Sequence, residues 1–227
     1  MRYTIQGNPF PVVICEILNR EQVVCQPGAM LWMSRTMRMG TDTGGGIGKM
    51  FSRALSQESL FQNTYTAEGG EGTIAFGMRL PGTIIPLDVE RQPIIAQKGA
   101  FLAAEKTVNM DIAFQKKLGA GFFGGEGFLL QRFSGFGTVF LEIEGSIVQQ
   151  NLKAGEQLLI DTGAFAFAEA SVSVDVEMVK GVGNILAGGE GLFHTIVSGP
   201  GKLWLQTLPL KTFIQSIVPS LRQFFQR

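Results

Sequence analysis

Gly28-Ala29-Met30-Leu31, Gly99-Ala100-Phe101-Leu102 and Gly163-Ala164-Phe165-Ala166 are three versions of one segment. A second shared segment, opened by a glutamate, follows each of them: Glu58-Ser59-Leu60-Phe61, Glu126-Gly127-Phe128-Leu129 and Glu190-Gly191-Leu192-Phe193. From Gly99 to Glu126 is 27 positions, and from Gly163 to Glu190 is 27 again; from Gly28 to Glu58 is 30. Recurrence at a fixed spacing points to a repeat architecture, in which each unit buries its apolar face against the next.

The residues between these anchors alternate. Val172, Val174, Val176 and Met178 interleave with Ser171, Ser173, Asp175 and Glu177, and Val108, Met110, Ile112 and Phe114 with Thr107, Asn109, Asp111 and Ala113. Met37 and Met39 take the matching places in the first unit. Period two with one apolar face predicts half-buried strands. Two glutamate-led segments close on Ser134-Gly135-Phe136-Gly137 and Ser198-Gly199-Pro200-Gly201, pairs of glycines suited to tight turns at positive φ. Further strands follow, at Val139, Leu141 and Ile143, at Leu203 and Leu205, and over residues 71–76. Short strands precede each Gly-Ala pair at Val23-Val24, Ile94-Ile95 and Leu158-Leu159.

The expected fold is all-β. Three internal repeats of short antiparallel strands, about 10–90, 91–147 and 148–208, form sandwich- or barrel-like units within a single domain over 1–210. Over residues 211–227, Phe213, Ile214, Ile217, Val218, Leu221, Phe224 and Phe225 fall at helical spacing. An amphipathic C-terminal helix is expected there, bent or divided at Pro219 and covered on its Phe213, Ile217, Leu221 and Phe224 face.

Charged residues make up 17% of the chain, low against a typical ~25%, which favours surfaces buried between subunits. Nineteen basic residues balance nineteen acidic ones, so nothing draws the chain as a whole toward phosphates or anionic lipid, and nucleic acid is not an expected partner. Cys15 and Cys25 lie in apolar runs and read as buried free thiols of a reducing compartment. The start is a strand with no signal-peptide core, and no run reaches the ~20 apolar residues of a membrane span. A cytoplasmic location is expected.

The repeated Gly-Ala segments, the glycine-rich insertion leading to Glu58, the Gly-Gly-Glu-Gly segments and the closing helix together resemble one family. It is the bacterial and mitochondrial family of altered inheritance of mitochondria protein 24, and the resemblance covers essentially the whole chain. It implies duplicated units like those of the tryptophan RNA-binding attenuation protein and a homotrimer. It also implies an association of the mitochondrial members with inner-membrane organisation, and no assigned activity for the bacterial ones. The chain lacks the targeting segment expected of a mitochondrial member and looks bacterial.

Candidate chemistry is sparse. His194 is the single histidine; it aligns with Leu130, so a buried or interface imidazole is favoured over a catalytic one. Gly44-Gly45-Gly46-Ile47-Gly48-Lys49 invites a phosphate-loop reading. The pattern fails, because Thr43 stands where the first glycine is needed and Met50 where Ser or Thr should coordinate magnesium. Glu58, Glu126 and Glu190 are candidates for a repeat-related polar cluster, either a ring of carboxylates able to bind a cation or turn caps. Gly121-Phe122-Phe123-Gly124, Met50 and Phe51, with the tail and its Arg222 and Arg227, offer apolar groups to a membrane surface or to a subunit interface. No catalytic residue, cofactor site or metal site is assigned. The expected function is a non-enzymatic oligomeric scaffold or binding module, self-associating as a homotrimer, with a protein or membrane-surface partner. The alternatives are a small-molecule-binding or catalytic β-barrel and an RNA-binding ring.

Overall fold

The computed structural model describes residues 1–40, 62–116, 128–178 and 193–210, together with residues 213, 214, 217 and 218. The strands in chain order are β1 (Arg2–Gln6), β2 (Val12–Ile17), β3 (Gln22–Cys25), β4 (Met30–Met33), β5 (Met37–Gly40), β6 (Asn63–Ala67), β7 (Gly72–Gly77), β8 (Gly82–Asp88), β9 (Ile94–Gln97) and β10 (Phe101–Glu105). They continue with β11 (Val108–Lys116), β12 (Phe128–Gly135), β13 (Thr138–Glu144), β14 (Ile147–Leu152), β15 (Gln157–Asp161), β16 (Phe165–Glu169), β17 (Ser173–Met178), β18 (Phe193–Ser198) and β19 (Gly201–Gln206).

These strands form four antiparallel sheets. In order they are β1-β2-β7-β4, β5-β6-β3-β10-β13-β8, β11-β12-β9-β16-β19-β14 and β15-β18-β17. Among the described residues none closes on itself, so the barrel-like closure considered from sequence is replaced by open sheets stacked face to face. Three apolar cores fill the gaps. The first lies between sheets one and two and holds Val13, Cys15, Ile74 and Phe76 against Val23, Tyr65, Leu102 and Phe140. The second, between sheets two and three, sets Val139, Leu141, Ile143 and Phe101 against Ile94, Phe133, Ala166 and Phe167. The third, between sheets three and four, sets Phe128, Leu130, Phe165 and Leu203 against Ile160, Val176, Phe193 and Val197. Sheets two and three are thus covered on both sides. This explains why β10 and β16, Phe-Leu-Ala-Ala-Glu and Phe-Ala-Phe-Ala-Glu, are nearly continuous apolar runs.

The two six-stranded sheets share one order of pairings. In sheet two β6 pairs β3, β3 pairs β10 and β10 pairs β13; in sheet three β12 pairs β9, β9 pairs β16 and β16 pairs β19. The Gly-Ala segments enter β4, β10 and β16. Each of these strands carries a register shift at the same place, between Met30 and Trp32, Phe101 and Ala103, and Phe165 and Phe167. A bulge of this kind sets two residues against one on the partner strand and bends the strand. The end of each of these strands is tied in a common way. Glu105 accepts a hydrogen bond from Thr138 N at 2.6 Å, Glu169 from Lys202 N at 3.1 Å, and the Ser34 hydroxyl from Thr73 N at 3.0 Å.

The alternation read from residues 171–178 is present: Val172 and Val176 are buried, while Ser171, Ser173, Asp175 and Glu177 are exposed. Of the expected tail helix, Leu210 and residues 213, 214, 217 and 218 are helical, and Phe213 N bonds back to Pro209 O at 3.0 Å. Phe213 and Ile217 are half-buried and Ile214 is exposed; Leu221 and Phe224 lie outside the described residues. No helix of the described residues is long and apolar enough to cross a membrane.

Candidate functional site

Among the edge strands of the four sheets, β4 and β15 stand where their counterparts elsewhere in the chain are interior. Among the described residues β4 pairs only β7, and β15 pairs only β18. The counterparts of β4, found by counting from the Gly-Ala pair, are β10 and β16, which have neighbours on both sides. The counterparts of β15 are β3 and β9, which do too. The consequence for side chains is large. Leu102, Ala103 and Ala104 are fully buried, whereas Leu31, Trp32 and Met33 at the matching places are 52%, 48% and 38% exposed. Ile95 is buried, whereas Leu159 is 55% exposed. An edge strand that presents unpaired backbone groups and bulky apolar side chains is a template for another strand.

A second polar feature lies inside the stack. Glu142 is buried, its Oε1 accepting a bond from Gln26 Nε2 at 2.6 Å and its Oε2 one from Arg79 N at 3.2 Å. The Arg79 guanidinium donates to Pro27 O at 2.8 Å. Two residues on, Glu144 Oε2 accepts bonds from Gln206 Nε2 at 3.1 Å and Leu210 N at 2.6 Å. Burial raises both carboxyls above the usual carboxylate range, against the opposing pull of these hydrogen bonds. A carboxyl held high is a frequent feature of acid–base sites. Here three of the four carboxylate oxygens accept from donors that fasten neighbouring strands and Leu210, the contacts of a structural role. Sequence reading missed it. Glu142 stands opposite Val139, Leu141 and Ile143 on its strand, as a solvent-facing residue would, but sheet two has a core on each side.

His194 is half-buried on sheet four and turned away from the third core. The register sets it between Asp161 and Glu177 on neighbouring strands. Its sequence counterpart Leu130 is fully buried, because sheet four covers Leu130 and, among the described residues, no further sheet covers His194. Gln131, with both amide atoms, and Thr195, through its hydroxyl, are buried polar groups without a hydrogen-bond partner among the described residues, and they occupy matching places on β12 and β18. Cys15 and Cys25 are free and buried, and burial pushes both thiols up to about 12. Glu58, Glu126 and Glu190 all lie outside the described residues, as do Gly44 to Lys49, Met50, Phe51 and Gly121 to Gly124. Among the described residues, no group of three or more His, Cys, Asp and Glu side chains is placed to hold a metal ion.

These features define an all-β protein of stacked open antiparallel sheets. The family model for Mitochondrial biogenesis AIM24 matches residues 3–208, and the chain belongs to that family. An uncharacterized protein of Streptococcus pyogenes is 28% identical over 222 residues, spanning 94% of this chain and 88% of that protein. The crystal structure of a Streptococcus pyogenes protein superposes with a TM-score of 0.81 at 24% identity, covering 96% of this chain and 99% of that one. At that identity the likeness is one of fold.

Proposed function

We propose that the protein is a non-enzymatic scaffold of the cytoplasm built from three structural repeats and assembled as a homotrimer. The observation that carries this reading is the exposure of Leu31, Trp32, Met33 and Leu159 where their counterparts Leu102, Ala103, Ala104 and Ile95 are buried. A chain that keeps such positions dry twice and leaves them wet at its two ends is short of a neighbour. The recurring pairings and bulges support the repeat reading, and the low charged fraction supports subunit burial. The balance of basic and acidic residues weighs against an RNA-binding ring. Native mass spectrometry of the protein purified from its own cell tests the proposal. A trimer without retained small molecule is the expected result. A monomer at micromolar concentration removes the assembly, and a stoichiometric retained ligand replaces the scaffold with a small-molecule-binding protein.

A further inference from the structure

We infer that copies of this chain join by antiparallel pairing of β15 of one copy with β4 of the next. The inference rests on the self-assembly reading above and specifies its joint. Within the chain the corresponding joint is made twice. β3 pairs β10 with Ala103 opposite Cys25, Ala104 opposite Val24 and Glu105 opposite Val23. β9 pairs β16 with Phe167 opposite Ala96, Ala168 opposite Ile95 and Glu169 opposite Ile94. Counted from the Gly-Ala pair, the residues three and four positions before the glycine stand opposite those four and five after it in both cases.

The same count sets the intermolecular register. Trp32 of one copy lies opposite Ile160 of the other, Met33 opposite Leu159, and Ser34 opposite Leu158. The joined sheet then runs β17-β18-β15-β4-β7-β2, which reproduces the six-strand order of sheets two and three, with β1 added at the far edge. The local shape of β4 fits the part. Its bulge falls where those of β10 and β16 fall, and Ser34 holds Thr73 N as Glu105 and Glu169 hold theirs. Leu159 and the Leu31 to Met33 run are the side chains left exposed by the missing partner. A second copy is therefore the occupant that matches both edges at once, since one edge supplies what the other lacks.

Cysteine pairing reads this register directly. In the full chain, Trp32→Cys with Ile160→Cys places the two thiols opposite each other across the joint, whereas Trp32→Cys with Leu158→Cys displaces them by two residues, about 7 Å along the strand and beyond disulfide reach. Under mild oxidation the first pair should link chains into covalent oligomers on a non-reducing gel, and the second should stay unlinked. Native Cys15 and Cys25 are buried and do not compete. Hydrogen exchange on the unaltered protein supplies a reading free of substitutions. Amides of Met30–Met33 and Gln157–Asp161 should exchange slowly at concentrations where the oligomer forms and quickly on dilution to monomer. Fast exchange of both strands within the oligomer, or linkage of the displaced pair in place of the opposed one, overturns the pairing while leaving self-assembly in place. A chain that stays monomeric at every concentration overturns both. An edge that binds an added peptide but not a second copy shows a different occupant and overturns the pairing too.

Discussion

Gln26 Nε2 donates to Glu142 Oε1 at 2.6 Å across 116 positions of sequence, and both side chains are buried. Burial raises the Glu142 carboxyl above its ordinary value, so between that value and the folded one the native state binds more protons than the unfolded chain. Stability contributed by the protonated group is fully present below the ordinary carboxylate range and is lost as pH rises through the raised value. Glu142→Gln removes this titration. The Gln26 amide can turn to accept from the new amide while the remaining oxygen keeps Arg79 N. Melting temperature should therefore fall with rising pH less steeply in the variant than in the parent. Parallel curves from pH 4 to pH 8 count against the assignment.

Gly137 sits at φ +112°, and a Cβ there would meet Glu105 Oε2 at 2.6 Å, the oxygen that holds Thr138 N. Gly155 sits at φ +78° with nothing within 4 Å of the same atom. Gly137→Ala is expected to cost about 3 kcal/mol, from strained backbone and a disturbed half-buried contact together. Gly155→Ala should cost only the roughly 1 kcal/mol of a left-handed non-glycine residue. Urea denaturation of the two variants checks the difference, and equal losses would refute it.

Trp32→Lys and Leu159→Lys change half-exposed or exposed sites in the single chain, where surface substitutions stay within about 0.5 kcal/mol. Each should leave a folded protein by circular dichroism and shift it to monomer by sedimentation. Retention of the oligomer in both variants would show that these edges are not the contact.

Cys15 and Cys25 are buried and their thiols are pushed up to about 12. Reaction needs the thiolate. Both should resist a thiol reagent at pH 8 in the folded protein and react together once it is denatured. Rapid labelling of either in the native state would contradict the burial of these strands in the first core.

The strand content was readable because alternation at residues 108–114 and 172–178 reports a half-buried strand, and the Gly-Ala spacing located corresponding strands in the three segments. The turn at Gly135 and Gly137 was readable for a steric reason, since both adopt positive φ. The layering was not. Sheets two and three bury both faces, so Glu142 and Gln131 look like outward residues in the sequence and are inward ones in the fold. The edges were missed for a related reason. Met30-Leu31-Trp32-Met33 is as apolar as Phe101-Leu102-Ala103-Ala104, and only the pairing distinguishes an end of the stack from its middle. Glu58, Glu126 and Glu190 lie outside the described residues, and the candidate site came to rest on strands flanking the Gly-Ala pairs instead.

β4 and β15 are unlike surfaces at opposite ends of the stack. Any growth through them is directional, since a head can meet only a tail. Such contacts carry no stopping rule of their own: they close when the rotation accumulated along the stack completes a full turn, and they propagate as a filament when it does not. The number of copies is then fixed away from the joint, by the angles at which successive sheets lie across the cores that hold Phe140, Phe133 and Phe165. Repacking one of those cores would alter the size of the assembly, or open it into a fibre, without touching a residue that contacts the neighbouring copy.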